Sequence, residues 1–290
     1  MFSIIQSNQY TSSKGMIGIE RIARLFKVAE AYKPSDDVFP IGIEIFDNAM
    51  DGGVRDGELI VVSGPTGQGK TTFLQNLTIN LDKIKVPTLW FTYEMSPWYL
   101  KEKFVTMGQT KKLLTYAPTD DLYMKMSWME DMIKEAKNDH LCKIVFIDHL
   151  HYLLPLLAGT NSSLMIGSIV RELKRLAVKT ETIIFLIAHT KKIYQDEDLD
   201  LSSVRDSSLV VQEADFVFLV ERLKKEKRRG SGIKKEGTLW TDNSRVQLAK
   251  NRRTGLMVYK VFTVIKNIFH EKKDEGIIEA LSHNEESEEF

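Results

Sequence analysis

The segment Leu59-Ile60-Val61-Val62-Ser63-Gly64-Pro65-Thr66-Gly67-Gln68-Gly69-Lys70-Thr71-Thr72 admits few folds. It runs from an apolar strand, through the pattern G-x-x-x-x-G-K-[ST], into the helical spacing of Phe73, Leu74, Leu77 and Leu81. A strand that turns through glycines into a helix aims several backbone N–H groups and the positive helix end at one point, and that point suits a phosphate. Gly64, Pro65, Thr66, Gly67, Gln68, Gly69, Lys70, Thr71 and Thr72 are therefore the candidate nucleotide-binding set. Lys70 reaches the outer phosphates, and the Thr71 hydroxyl is placed for Mg²⁺. The ligand implied is a nucleoside triphosphate, taken as ATP, with Mg²⁺.

The rest of the chain repeats the alternation. Apolar runs at 59–63, 88–92, 143–147, 182–188 and 215–221 read as strands, with helices expected near 71–83, 97–107, 122–137 and 164–179. Such βαβ units imply right-handed crossovers, hence an α/β fold with a doubly wound, mainly parallel sheet and helices on both faces. Two further runs, 245–250 and 257–265, are expected as an antiparallel C-terminal strand pair. Residues 222–237, rich in lysine, arginine and glycine, are read as a solvated loop rather than a nucleic-acid patch. Three regions are expected: 1–38, a tail and an amphipathic helix near 17–32 carried by Ile19, Ile22, Leu25, Phe26 and Ala29; 39–270, the ATPase domain; and 271–290, an acidic, disordered tail ending in HNEESEEF.

Forty basic side chains balance 40 acidic ones, so no global field draws this chain to nucleic acid or an anionic membrane, and any such binding must be local. Cys142 is the single cysteine, which excludes an internal disulfide framework and a cysteine-rich zinc site. No apolar run approaches the roughly 20 residues that span a bilayer. The expectation is a soluble, intracellular protein without a membrane partner.

Hydrolysis needs more than a phosphate cradle. Asp148, at the end of Ile144-Val145-Phe146-Ile147, is the candidate second Mg²⁺ ligand beside Thr71. Glu94 follows the strand Thr88–Thr92, and His189 ends Ile183–Ala188. Ligands of doubly wound sheets bind at the carboxyl ends of strands, so Glu94 is the candidate base for the attacking water and His189 the candidate γ-phosphate sensor. His149 and His151 lack further ligand spacing and are read as packing or loop residues, with no metal assigned. In the strand around 245–250 side chains alternate faces, so Lys250 and Arg252 point one way and Arg253 the other.

Seven blocks in order, FPIGIEIFD, GPTGQGKTTF, FTYEMS, FIDHLHYLL, LIAHTKK, SSVRDSSLVVQEAD and LAKNRRTG, resemble the DnaB-like hexameric replicative helicases of the RecA-like ATPases, phage and mitochondrial primase-helicases included. The likeness spans residues 39–265, and it implies a RecA-like P-loop NTPase that translocates on single-stranded DNA as a ring and unwinds the replication fork. It further implies that Lys250 and Arg252 act as arginine-finger cations on a neighbouring subunit's ATP. Lys191, Lys192, Arg205, Asp206 and Ser208 would contact DNA in the ring's channel; bacterial-type relatives carry glycine where this chain has Ser208. The helix near 17–32 resembles the family's linker helix. Few residues precede the ATPase region, so the chain reads as a stripped motor with a primase or loader acting in trans. Its expected place is the cytoplasm of a bacterium or phage-infected cell, with an organelle matrix as the alternative. Two other functions fit the same motifs: a RecA-like recombinase forming an open filament, and a nucleotide-switched assembly or loader protein that unwinds nothing.

Overall fold

The computed structural model describes residues 37–109, 112–119, 125–156, 162–191, 199–204, 207–224 and 240–279, together with Leu25. The chain divides into two units, Met1–Ser35 and Asp36–Phe290. Apart from Leu25, the helix expected near 17–32 lies outside the described residues.

In the second unit a short antiparallel pair, β1 (Val38–Phe39) and β2 (Val54–Arg55), brackets helix α1 (Glu44–Ala49). Strand β3 (Leu59–Gly64) leads through the phosphate loop into α2 (Lys70–Lys83). There follow β4 (Thr88–Thr92), α3 (Pro97–Thr106), β5 (Thr115–Tyr116), α4 (Met126–His140), β6 (Ile144–Asp148), α5 (Ser162–Thr180) and β7 (Ile183–His189). Helix α6 (Ser207–Glu213) then precedes β8 (Phe216–Lys224), β9 (Trp240–Asn251), β10 (Met257–Ile265) and β11 (Ile268–Glu279). Nine strands form one sheet in the order β11-β10-β9-β8-β3-β7-β6-β4-β5. From β8 to β5 the strands run parallel, whereas β8, β9, β10 and β11 form an antiparallel ladder.

Alternation along each run sorts its side chains between two cores. Ile60 and Val62 of β3 face Phe46 of α1 and Phe73 and Leu77 of α2, with Trp90, Phe146, Phe185 and Phe218 from neighbouring strands. Leu59 and Val61 face the other way, onto Ile133 of α4 and Ile169 and Leu173 of α5. Both faces of the sheet are therefore covered, which is why its central strands read as continuous apolar runs. Burying each such side chain contributes roughly 1.5–3 kcal/mol. No described helix is long and apolar enough to cross a membrane.

The carboxyl end of the chain departs from expectation. In place of an antiparallel pair there is a third strand, β11, over part of the tail expected to be disordered; 280–290 lie outside the described residues. The Lys266-Asn267 turn joins β10 to β11, and both residues have positive φ, 49° and 64°, as a tight two-residue hairpin demands. Asn76 of α2 fixes this hairpin: its Nδ2 donates to Asn267 O at 2.9 Å, and its Oδ1 accepts from Phe269 N at 3.0 Å. The Phe269 ring meets Phe73 and Phe262 at 5.9 and 5.4 Å between centroids. Composition misleads here because Glu271-Lys272-Lys273-Asp274-Glu275 is wholly charged, yet an edge strand needs backbone partners and charge on its edge is common. The basic segment is expected to begin at 222, but β8 continues through Lys224; 225–239 lie outside the described residues.

Phe269→Ala should lower stability by about 2 kcal/mol in urea unfolding, less than the loss of a fully buried phenylalanine ring. An unchanged midpoint would show that the hairpin does not brace α2.

Candidate active site

Strand register sets the site. Gly64 of β3 pairs with His189 of β7, and Thr92 of β4 pairs with Asp148 of β6. Four parallel strands thus end in one row, and the residues just past their ends share a cleft. Gly64 turns out of its strand at φ 157°, and a Cβ there would stand 2.1 Å from Val220 O, so only glycine fits. Gly69, at φ 99°, is the N-cap of α2 and leaves that helix end open to an anion.

Lys70 is buried, and its Nζ donates to Gly64 O at 2.8 Å and Pro65 O at 3.0 Å. Burial lowers its pKa to about 8, with Asp148 and Glu94 opposing the shift. Thr71 Oγ1 donates to Asp148 Oδ2 at 2.8 Å. Burial also raises the Asp148 carboxyl to about 6, against the Thr71 bond that favours its ionised form. Asp148 Oδ1 is buried with no hydrogen-bond partner, a spare acceptor on the carboxylate whose other oxygen meets the threonine hydroxyl. Two hard oxygens so placed fit Mg²⁺.

Glu94 stands half-exposed at the cleft mouth, its Oε2 3.9 Å from His149 Nε2. His149 Nε2 lies 3.2 Å from His189 Nε2. Burial, followed by the neighbouring cations and rings, lowers both histidines to about 4, so both are neutral at pH 7 and the Glu94–His149 approach is not an ion pair. His151 completes the group, its ring 5.5 Å from His149 and 5.3 Å from His189. Sequence spacing pairs His149 with His151 but has no means of adding His189, which the β6–β7 register delivers.

Lys250 and Arg252 share a side of β9, as alternation predicts, and within this chain both bind groups around the end of α6. Lys250 Nζ donates to the carbonyls of Val211 and Ala214 at the end of α6, at 2.6 and 2.8 Å. Burial, then Arg252, lowers its pKa. Arg252 pairs with Asp215 at 2.9 Å and donates to Gln212 O. Arg253 turns the other way, onto Met50 O, Gly53 O and Glu58. Asp215 is buried and also accepts from Leu59 N at 2.8 Å and Lys174 Nζ at 2.6 Å. Because Ile60 pairs with Phe216, and Phe216 with Asn251, Arg252 lies at the amino edge of β3, about 15 Å of strand from Gly64. It cannot reach the phosphate loop of its own chain.

Of the candidate DNA contacts, Lys191 and Ser208 are described and exposed; Lys192, Arg205 and Asp206 lie outside the described residues. Lys191 N donates to Ser203 O at 2.8 Å, which ties the end of β7 to the short turn Leu201–Ser203.

Residues 103–267, more than half of the chain, match the profile of the DnaB-like helicase C terminal domain. The chain belongs to that family. Replicative DNA helicase DnaB of Rickettsia conorii is 23% identical over 247 residues, covering 71% of this chain and 50% of the relative. DNA repair protein RadA of Halalkalibacterium halodurans is 24% identical over 188 residues, covering 64% and 38%. The chain thus spans about half the length of the DnaB relatives it matches. Among solved structures, the ATPase domain of G40P superposes with a TM-score of 0.68 at 16% identity, covering 86% of this chain and 96% of that one. A DnaB-like replicative helicase, described with its interactions with primase, gives 0.68 at 17% identity over 86% and 65%. The fold is therefore RecA-like. The matched profile begins beyond the phosphate loop, so the roles of Lys70 and Glu94 rest on geometry.

In this DnaB-like domain the sequence leaves one part of the cleft unread. Gln68, Arg222, Lys266, Asn267 and Phe269 line a cavity of about 260 Å³ beside Gly67 and Gly69. Arg222 N donates to Gln68 Oε1 at 2.9 Å, joining β8 to the phosphate loop. A ring, a cation and backbone polar groups so close to the phosphate cradle suit the base and ribose of a nucleotide. The signal in the sequence was the apolar pair Ile268-Phe269 straight after a two-residue turn.

The buried carboxyl yields a pH test. With its pKa near 6 instead of 3.8, Asp148 favours the folded, nucleotide-free state fully below pH 3.8, and this stability is lost as pH rises through 6. Asp148→Asn, neutral throughout, should be more stable than wild type by about 2–3 kcal/mol at pH 7.5 and by about half that at pH 5. Urea unfolding at both pH values checks it, and ATP turnover by the variant should be lost.

Proposed function

We propose that this chain is the ATPase motor of a replicative helicase, assembled as a homo-oligomeric ring, a hexamer in this reading, that moves along single-stranded DNA and separates the duplex at a fork. Family membership supports the activity. The observation that carries the assembly is the position of Arg252 at the amino end of β3, about 15 Å of strand from its own phosphate loop. In this reading a cation there completes an ATP site on a second copy, with Lys250 beside it on the same strand face, which makes the oligomer part of the catalyst.

Lys70 and the loop N–H groups bind the outer phosphates of ATP, and Thr71 with Asp148 holds Mg²⁺. When bound, Mg²⁺ neutralises charge on those phosphates. Lys70 exchanges the carbonyls of Gly64 and Pro65 for phosphate oxygens. Glu94, at the mouth of the cleft, orients and deprotonates the attacking water. His189, neutral and level with Gly64, reads the γ-phosphate at the end of β7. Exposed Lys191 and Ser208, with Lys192, Arg205 and Asp206, contact the DNA backbone; with no net charge on the chain, that binding depends on the assembled channel. A primase or loader joins in trans, in the cytoplasm of a bacterium or an infected cell. The second reading, a RecA-like recombinase, assembles as an open filament, and an electron-microscope image with ATP separates that from a closed ring.

Glu94→Gln should keep ATP affinity and lower turnover by at least about 10²-fold in a steady-state assay; near-normal hydrolysis would move the base to another carboxylate.

Arg252→Ala should bind ATP but lose turnover by about 10³-fold, and Lys70→Ala should lose it through weakened binding. Mixing these two inactive proteins creates interfaces that pair an intact phosphate loop with an intact arginine, so part of the activity should return. With subunit exchange shown separately, a mixture that stays inactive would sink the trans-acting reading.

A further inference from the structure

Three of the six histidines in the chain converge on the hydrolytic side of the cleft. One ring nitrogen from each of His149, His151 and His189 lies within 4.8 Å of the other two, and among the described residues this is the group with metal-ligand geometry. We propose that these three side chains bind a divalent transition metal, Zn²⁺ foremost, and that filling the site stops ATP hydrolysis.

The geometry carries the first half. Two imidazoles on one tetrahedral zinc, each bonded at 2.0–2.1 Å, hold their nitrogens about 3.3 Å apart. His149 Nε2 and His189 Nε2 are 3.2 Å apart. The His151 ring has to close by about 1.5 Å, within reach of side-chain rotation. Glu94 Oε2, 3.9 Å from His149 Nε2, stands ready as a fourth ligand. Backbone, rather than chance rotamers, sets the convergence: His189 ends β7, His149 follows β6, and these two strands are paired. The Tyr152 ring, 4.9 Å from that of His149, walls the group. Imidazole nitrogens select zinc, copper or nickel over Mg²⁺, which demands oxygen ligands and keeps to Thr71 and Asp148. The two ions therefore occupy different donors in one cleft.

The second half rests on the roles given above to Glu94 and His189. A metal that draws on both takes the water-activating carboxylate and the phosphate-reading imidazole together, so ATP can remain bound while its hydrolysis stops. Such a site would make the motor sensitive to free zinc.

The test uses the full chain in buffer containing Mg²⁺ and no nucleotide, titrated with Co²⁺. One Co²⁺ per chain should bind with the intense visible absorption of tetrahedral cobalt, and Zn²⁺ should displace it. His151→Gln should weaken binding by at least about 10-fold, since even changes outside the ligand shell cost 10–100-fold, while its Mg²⁺-supported ATPase without zinc stays near wild type and certifies the fold. His140→Gln, outside the group, should bind as wild type does. Absence of the tetrahedral spectrum, or equal affinity in His151→Gln, overturns the site. Zn²⁺ at filling concentration should then abolish wild-type hydrolysis, spare His151→Gln, and be reversed by a zinc-selective chelator. Metal binding with undiminished hydrolysis would leave the site standing, overturn the inhibition and move Glu94 and His189 away from the reacting phosphate. A failed titration beside the expected Glu94→Gln defect would overturn the metal site alone.

Discussion

The pairing of β3 with β7, of β7 with β6 and of β6 with β4 positions the phosphate-side groups of the cleft. Register is an all-or-none property, because a slip of one residue turns each side chain to the other face and exchanges the two cores. Ile60 and Val62 must meet Phe73 and Leu77 while Leu59 and Val61 meet Ile169 and Leu173, so the apolar contacts lock the strand ends level. Asp148, His189 and the phosphate loop are then brought together with no contact of their own needed to hold them.

That placement has an electrostatic consequence. Lys70 and Asp148 are both buried, and burial moves both toward their neutral forms, to about 8 and about 6. The cleft holds an ammonium resting on two carbonyls and a carboxylate resting on one hydroxyl, each with less solvation than water would give. Bound phosphates and a divalent cation supply the missing counter-charges. The burial of these two charges therefore costs stability that nucleotide binding offsets, as preorganised sites do.

Much of this was legible in the sequence for a physical reason. Strands buried on both faces leave unbroken apolar runs, and a strand that ends at a ligand leaves a polar residue at its last position; Asp148 and His189 carry both marks, and Glu94 lies two residues beyond its strand. The alternation of Lys250, Arg252 and Arg253 was equally readable. Residues joined only by tertiary structure were not. Arg222 and Phe269 border the phosphate loop from strands far along the chain, and the composition of 271–275 hid a strand held by backbone bonds. The histidine group needed β7 beside β6 before its third member could appear.

Asp215 has a mechanical meaning. One carboxylate grips the amide that opens β3, the ammonium of Lys174 on α5 and the guanidinium of Arg252. The strand that carries the phosphate loop at its far end is thus clamped at its near end to the cation proposed to serve another copy. In a stiff, fully packed sheet a strand tied at both ends cannot move at one end without straining the other, where the arginine sits. On the proposed ring, each subunit would then carry its own input and its output to the neighbour on a single shaft of six residues.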